Sequence, residues 1–425
     1  MLCNKESIRL KKILVNKNIL RYEFIVSEGL KKYFNRNYIL IKYSGDIDYT
    51  NVPKSILVIP FVASILPLMW LTDSIMWIEE IDSTFYHSLF NIKQAYQDMY
   101  DYFPLKGALI PAYIKNNNCS TKKESLVLFS GGIDAHTTYL RHKHENPLLF
   151  NVQGWYNNNL EESNEVAEED IVDISNFAIK ENKSFIYAKS NFATLININY
   201  FHRKIEKKLK DTWWHGFQHS MAFISIAIPL CYYLRIRKIY IASSFSIGDS
   251  GRCASYPTTD SEFFFAQSGC TIHDGFELTR QDKVKIIVDY QKLIEKPYYI
   301  KVCTFNKKNC CICEKCIRTI LGIIAENGDP RDYGFLIEEP VMKFFKEKFV
   351  NNLTFFDVAG EEKKHWGYIK QRMIENYSII KEKEVVDWIL NTDFLSLRRK
   401  KLFDYRMKNF VYIILKRIKK RLHNE

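Results

Sequence analysis

Three absences narrow the reading of this 425-residue chain. Its opening residues, MLCNKESIRLKK, are polar and charged where a secretion signal would place an apolar segment and a cleavage site, so the expected compartment is the cytoplasm. The most apolar stretch, SILVIPFVASILPLMWL at 55–71, ends after 17 residues and carries Pro60 and Pro67, whereas a membrane-spanning helix needs ~20 uninterrupted apolar residues. It reads instead as a buried strand, Ile56 to Ile59, running into a helix closed by Asp73, with a second strand in SIMWIEEI. The pattern G-x-x-x-x-G-K-[ST] does not occur, which argues against a kinase-like grip on a γ-phosphate. Internal repeats and low-complexity segments are also missing.

A fourth shortage concerns charge. The net charge is +12, but residues 396–425 hold eleven Lys and Arg against Asp404 and Glu425, leaving +3 for the other 395 residues. A body so balanced is not a basic platform for nucleic acid. In the tail, Phe403, Met407, Phe410, Val411, Ile414, Ile418 and Leu422 recur at helical spacing between basic residues. The pattern is that of a basic amphipathic helix, with three candidate docking surfaces: the protein's own body, a protein partner or an anionic surface.

What is present is an alternation from about residue 124: strand Leu126 to Phe129, helix from Asp134, strand Leu148 to Val152, helix 164–180, strand Ser184 to Ala188, helix 214–235, strand Lys238 to Ser243. Such alternation predicts an α/β fold with a parallel sheet covered by helices. The polar stretch KNNNCSTKKE separates it from an N-terminal α/β extension. The expected domains are thus 1–118, 119–335, and a helical region 336–425.

In a parallel sheet, ligands meet the turn after a strand's carboxyl end, and here that turn reads Ser130-Gly131-Gly132 before a helix near Asp134. Two glycines expose backbone N–H groups to an anion, and the helix start adds partial positive charge. An ordinary Ser-Gly-Gly turn would have the same sequence. A second cluster, CTFNKKNCCICEKCIRT, offers Cys303, Cys310, Cys313 and Cys316 as four thiolates for tetrahedral Zn²⁺, with Cys303 arriving from a strand-like YYIKVC and Cys311 surplus. An iron–sulfur cluster and cysteines that merely pack are the alternatives. Further polar candidates lie in 213–219, 243–260 and 273–278. His215 and His219 stand at i, i+4 as a pocket wall, Asp249 and Arg252 sit in a Gly-containing loop, and His273 and Asp274 precede Gly275.

The SGG-x-D loop followed by C-x₆-C-x₂-C-x₂-C resembles the QueC-like (7-cyano-7-deazaguanine synthase-like) branch of the PP-loop ATP pyrophosphatases. That family's loop commonly reads SGGxDS, and here Ala135 replaces the last Ser. Leu278-Thr279-Arg280-Gln281-Asp282 is similar to the family's L-T-K-A-E helix start, although Thr279 with Asp282 is also a helix-capping pair. The resemblance covers roughly residues 124–330. It implies a Rossmann-like sheet of the adenine nucleotide α-hydrolase type and an ATP-dependent ligase that adenylates a carboxylate or amide for attack by ammonia or an amine. ATP with Mg²⁺ would be held by Ser130, Gly131, Gly132, Asp134 and Thr137, and Ser130, Asp134, Asp249, Arg252, His273 and Asp274 are the catalytic candidates. The acceptor would be a small molecule or protein-borne. Two further readings stay open: an altered binding or assembly module in a bacterial defence or polysaccharide gene cluster, and a tRNA-modifying enzyme.

Overall fold

The computed structural model describes residues 5–118, 123–154, 164–249, 251–304, 306–337 and 340–407. The apolar positions Phe410, Val411, Ile414, Ile418 and Leu422 of the expected tail helix lie outside these residues. Two compact units divide the chain, residues 1–277 and 278–425.

Among the described residues, the first unit is built on one sheet of eleven strands. In chain order these are β1 (Ser7–Asn16), β2 (Ile19–Val26), β3 (Tyr38–Tyr43), β4 (Ile75–Asp82), β5 (Ala108–Lys115), β6 (Lys123–Leu128), β7 (Leu148–Gln153), β8 (Phe185–Ser190), β9 (Ile236–Ala242), β10 (Phe264–Phe265) and β11 (Gly269–Asp274). Their spatial order is β10-β11-β9-β6-β7-β8-β3-β2-β1-β4-β5. The stretch β11-β9-β6-β7-β8 is parallel throughout. Its winding reverses between β6 and β9, as in a doubly wound Rossmann-like sheet. Every residue of β7, LLFNVQ, is buried, as expected of a central parallel strand covered on both faces.

The N-terminal strands continue this sheet across residue 118. β3 pairs antiparallel with β8, matching Ile41 to Ser190, and β2, β1, β4 and β5 follow outward. The helix Ile59–Thr72 covers this half, with Phe61 against Tyr22 and Phe24. Here the expected strand Ile56 to Ile59 is corrected: Lys54–Leu57 is a helical turn, and Ile59–Thr72 follows it. The sequence is apolar all round because the helix is buried all round, so no period separates the two readings. Pro60 sits in the helix's first turn, where its missing N–H costs nothing, and Asp73 closes the helix in the left-handed conformation at φ 52°. Among the described residues only Trp214–Leu234 is long and apolar enough to cross a membrane, and 72% of its most apolar window is buried within the fold.

The second unit is helical. Arg280–Ile294 starts with the reciprocal Thr279–Asp282 capping box, and Glu314–Ala325, Gly367–Glu375 and Lys383–Asn391 follow. Phe349, Trp366, Trp388 and Phe394 form its aromatic centre.

Asp82, fully buried at the end of β4, ties the extension to the parallel sheet. Its carboxylate accepts from Phe85 N at 3.0 Å, Asn117 Nδ2 at 2.9 Å and Ala266 N at 2.9 Å, the last in the turn between β10 and β11. Replacing it strands three buried donors, so Asp82→Ala should lower unfolding free energy by about 3 kcal/mol in urea denaturation. A loss under about 1 kcal/mol would contradict this assignment.

Candidate functional site

The Ser-Gly-Gly loop leaves the sheet at the point where the winding reverses. Val127 of β6 pairs with Tyr240 of β9, so Ser130 and Ser243 depart from the same edge. Neighbouring strands hold the loop's root: Phe129 N donates to Phe150 O at 2.7 Å, and Asn151 Nδ2 donates to Phe129 O at 2.8 Å. Ser130 is exposed, and Gly131 takes φ 78°, a conformation that favours glycine. Gly132 caps the helix Ile133–His142, which carries Asp134 in its first turn and a buried Thr137 in its second. A helix start behind a glycine loop at this position in a sheet is an arrangement suited to phosphate.

Beneath the loop, His136 packs edge-on against Phe129 and Phe177, whose rings stack at 5.1 Å. Burial pushes its pKa down to about 3, against a hydrogen bond to the Gly131 backbone that works the other way. Ala135 is buried in the same cluster with Tyr139 and Ile174.

Asp274, at the carboxyl end of β11, grips the back of this helix. Thr138 Oγ1 donates to its Oδ2 at 2.7 Å, His142 Nε2 lies 3.0 Å from its Oδ1, and Arg141 Nη1 lies 3.5 Å away. Burial alone would raise the Asp274 pKa, but the bonds from His142 and Thr138 outweigh it and hold the carboxyl below its ordinary range.

His273 sits one residue earlier, and strand alternation turns it to the other face of the sheet. Its Nδ1 lies 2.8 Å from Asp260 Oδ2, which also accepts from Ser255 Oγ at 2.6 Å. Among the described residues, His273 Nε2 and Asp260 Oδ1 are buried without a hydrogen-bond partner. Asp249 turns back on its own loop, accepting from Ser246 N at 2.7 Å and Ser246 Oγ at 3.0 Å, while Arg252 stacks over Tyr256 at 5.9 Å. His219 is half-buried, its Nε2 3.8 Å from Cys253 Sγ, and desolvation lowers its pKa and raises that of the thiol to about 12. His215, in contrast, keeps 48% of its side chain exposed and bonds Asp211.

In the second unit the sulfurs of Cys303, Cys310, Cys313 and Cys316 all lie within 4.8 Å of one another. Metal–sulfur bonds of about 2.3 Å place tetrahedral corners about 3.8 Å apart. Cys310 and Cys316 are already 3.9 Å apart, so four soft thiolates here fit a metal ion such as zinc. Cys313 N donates to Cys310 Sγ at 3.4 Å, and Asn306 Nδ2 donates to Cys303 Sγ at 3.2 Å. Thiol bonds from Cys313 and Cys316 hold Cys310 well below the ordinary thiol range, and the hydrogen bond to Cys310 pushes Cys313 up to about 11. Cys311 takes φ 59° and packs inward, its pKa raised by burial to about 11.

Residues 297–303 form no strand, which corrects the strand-like reading of YYIKVC. The buried Asn309 holds this segment instead: its Oδ1 accepts from Val302 N at 2.9 Å and Cys303 N at 3.3 Å, and its Nδ2 donates to Ile300 O at 2.8 Å. A lone Asn among lysines and cysteines carries no sequence signal for that role. The Asp211–His215 pair is marked in the sequence only by its i, i+4 spacing.

Comparison with known proteins finds no matching family model and no matching curated sequence.

Two outcomes follow. Purified protein should carry about one zinc per chain by metal analysis. Cys313→Ser should lower both metal content and solubility, because metal binding at such sites contributes to folding. Iron with visible absorbance, or no metal, would overturn the zinc assignment. For His136, the unfolded chain takes up a proton near pH 6.5 and the folded chain only near 3. The unfolded state therefore binds more protons in that window, and stability falls as pH drops through it by roughly 1.4 kcal/mol per unit. His136→Gln should flatten that slope in urea denaturation between pH 7 and 4.

Proposed function

We propose that this protein is a cytoplasmic ATP-dependent ligase of the PP-loop type, QueC-like in its chemistry. The observation that carries the reading is the placement of Ser130-Gly131-Gly132: carboxyl end of β6, winding reversal beside β9, and start of a ten-residue helix coincide in one loop. Backbone N–H groups, the Ser130 hydroxyl and the helix start would receive the phosphates of ATP. Mg²⁺ bound with the nucleotide would offset phosphate charge, with Asp134 the nearest candidate to orient it.

The chemistry divides into two displacements. A substrate carboxylate oxygen attacks the α-phosphorus and pyrophosphate leaves. An amine nitrogen then attacks the acyl carbon, AMP leaves with the bonding pair, and the nitrogen gives up a proton. Positioning and charge stabilisation dominate such a scheme, and no side-chain nucleophile is required. Asp274 serves it by fixing the helix behind the loop.

Ala135 motivates a second reading, a module that retains the fold without the activity. Its side chain is buried beneath the loop among Phe129, Tyr139 and Ile174, so the substitution leaves the Ser130 hydroxyl and the loop amides in place. That favours the enzyme.

Incubation with ATP, Mg²⁺, ammonium and a deproteinised small-molecule extract, or a deazaguanine carboxylate, should yield AMP and pyrophosphate. Ser130→Ala and Asp134→Asn should reduce AMP release by about 100-fold with unchanged circular dichroism. Production of ADP and phosphate would refute the reading. No calorimetric binding of ATP and Mg²⁺ at millimolar concentration would favour the module.

A further inference from the structure

The strongest unassigned feature is a three-residue relay around the start of the helix that leads into β9. His215 Nδ1 lies 2.8 and 3.0 Å from the two oxygens of Asp211, and Tyr100 donates its hydroxyl to Asp211 Oδ2 at 2.7 Å. Thr212 already caps this helix start, its Oγ1 accepting from His215 N at 3.1 Å. The Asp211 carboxylate is therefore not needed as a cap, and it engages the imidazole, the phenol and the Thr212 N–H.

Two local features exist to admit this arrangement. Trp214–Gln218 is a π-helical turn, a rare geometry that recurs at functional sites. Gly216 lies inside it, and a Cβ there would stand 2.7 Å from the Tyr100 hydroxyl and 3.3 Å from Asp211 Cγ. Only glycine leaves room for the phenol to reach the carboxylate.

The relay also has a definite place. A helix running into a parallel strand lies antiparallel to it, so its first turn stands at the carboxyl edge of the sheet, the edge from which Ser130 departs. His215 O accepts from Ala254 N at 2.7 Å, within the segment that leaves β9 at that edge. The side chain is 48% exposed, and its Nδ1 is the nitrogen engaged by Asp211, so Nε2 is the nitrogen left to meet a ligand.

We propose that His215 is the base that takes the proton from the attacking amine, with Asp211 and Tyr100 as the residues that position it. This rests on the ligase reading. In the second displacement the nitrogen forms its bond to the acyl carbon, the bond to AMP breaks, and Nε2 receives the ammonium proton. Asp211 fixes Nδ1 as the protonated nitrogen, so Nε2 presents its lone pair. The titratable groups around the ring are Asp211 and Tyr100 beside it, Tyr102, whose hydroxyl donates to Leu209 O, and the half-buried His219 one turn on. The bond to Asp211 raises the imidazole pKa, with burial opposing it. A base must be neutral to act, so the rate should rise with pH through that raised value.

The test uses the full chain with ATP, Mg²⁺, ammonium and the extract named above, from pH 5.5 to 9. His215→Ala should slow AMP release by about 100-fold or more, and 50 mM imidazole should restore at least about tenfold of it. Asp211→Asn should move the rising limb to lower pH, because the group that raised the imidazole pKa is gone. A purely structural pair would give neither rescue nor a shifted limb, and His215→Ala within threefold of wild type would overturn the proposal. If wild type releases no AMP at all, the ligase reading fails and the base role fails with it. The Cε1–H signal of His215 then shows whether the relay stands apart from that reading: a titration midpoint higher in wild type than in Asp211→Asn confirms it, and equal midpoints reject it.

Discussion

The first unit turns on the Asp274 carboxylate. A glycine loop has no side chains with which to hold itself, so its geometry is borrowed from the helix behind it, and that helix is fastened to β11 through Thr138, His142 and Arg141. Three partners from one helix on one buried carboxylate fix the helix in rotation as well as in position. His142 adds to this by stacking on Tyr240 of β9 at 3.8 Å, and Tyr240 donates to Glu145 at 2.9 Å. The polar chain thus runs from one strand end, along the helix, to the neighbouring strand. Asp274, Thr138 and His142 are spent on this fastening, whereas Ser130 and His215 stay exposed at the carboxyl edge of the sheet.

Much of the parallel sheet was legible because each strand from Leu126 to Ser243 is a short apolar run bounded by turn residues. The loop's place was legible too, since Ser130-Gly131-Gly132 directly follows the apolar run that forms β6. Other features were not. The segment Ile56–Ile59 is uniformly apolar and uniformly buried, so helix and strand look alike in it. The cysteine spacing pointed to the sulfur cluster, but the segment bringing Cys303 is shaped by the Asn309 amide and not by a ladder. The Tyr100–Asp211–His215 relay bonds Tyr100 to Asp211 across 111 positions, and nothing local marks Tyr100 as its member.

The sheet also makes the N-terminal extension and the parallel strands one body. A linker-like composition at 115–124 suggested separation, yet β3 closes on β8 and Asp82 reaches Ala266. Composition reports local solvation, whereas ladder pairing depends on which edge is left open, and β8 would otherwise end the parallel sheet with a bare edge.

That junction bears on the order in which the chain can be finished. Leu40 N donates to Asn191 Oδ1 across 151 residues, so β3 leaves the ribosome long before the strand that completes it. At about 5–20 residues per second the gap lasts roughly 10–30 s. During that interval the hairpin of β2 and β3 presents an unpaired apolar edge while its partner is still being synthesised, and the cell must keep that edge from pairing with another nascent chain.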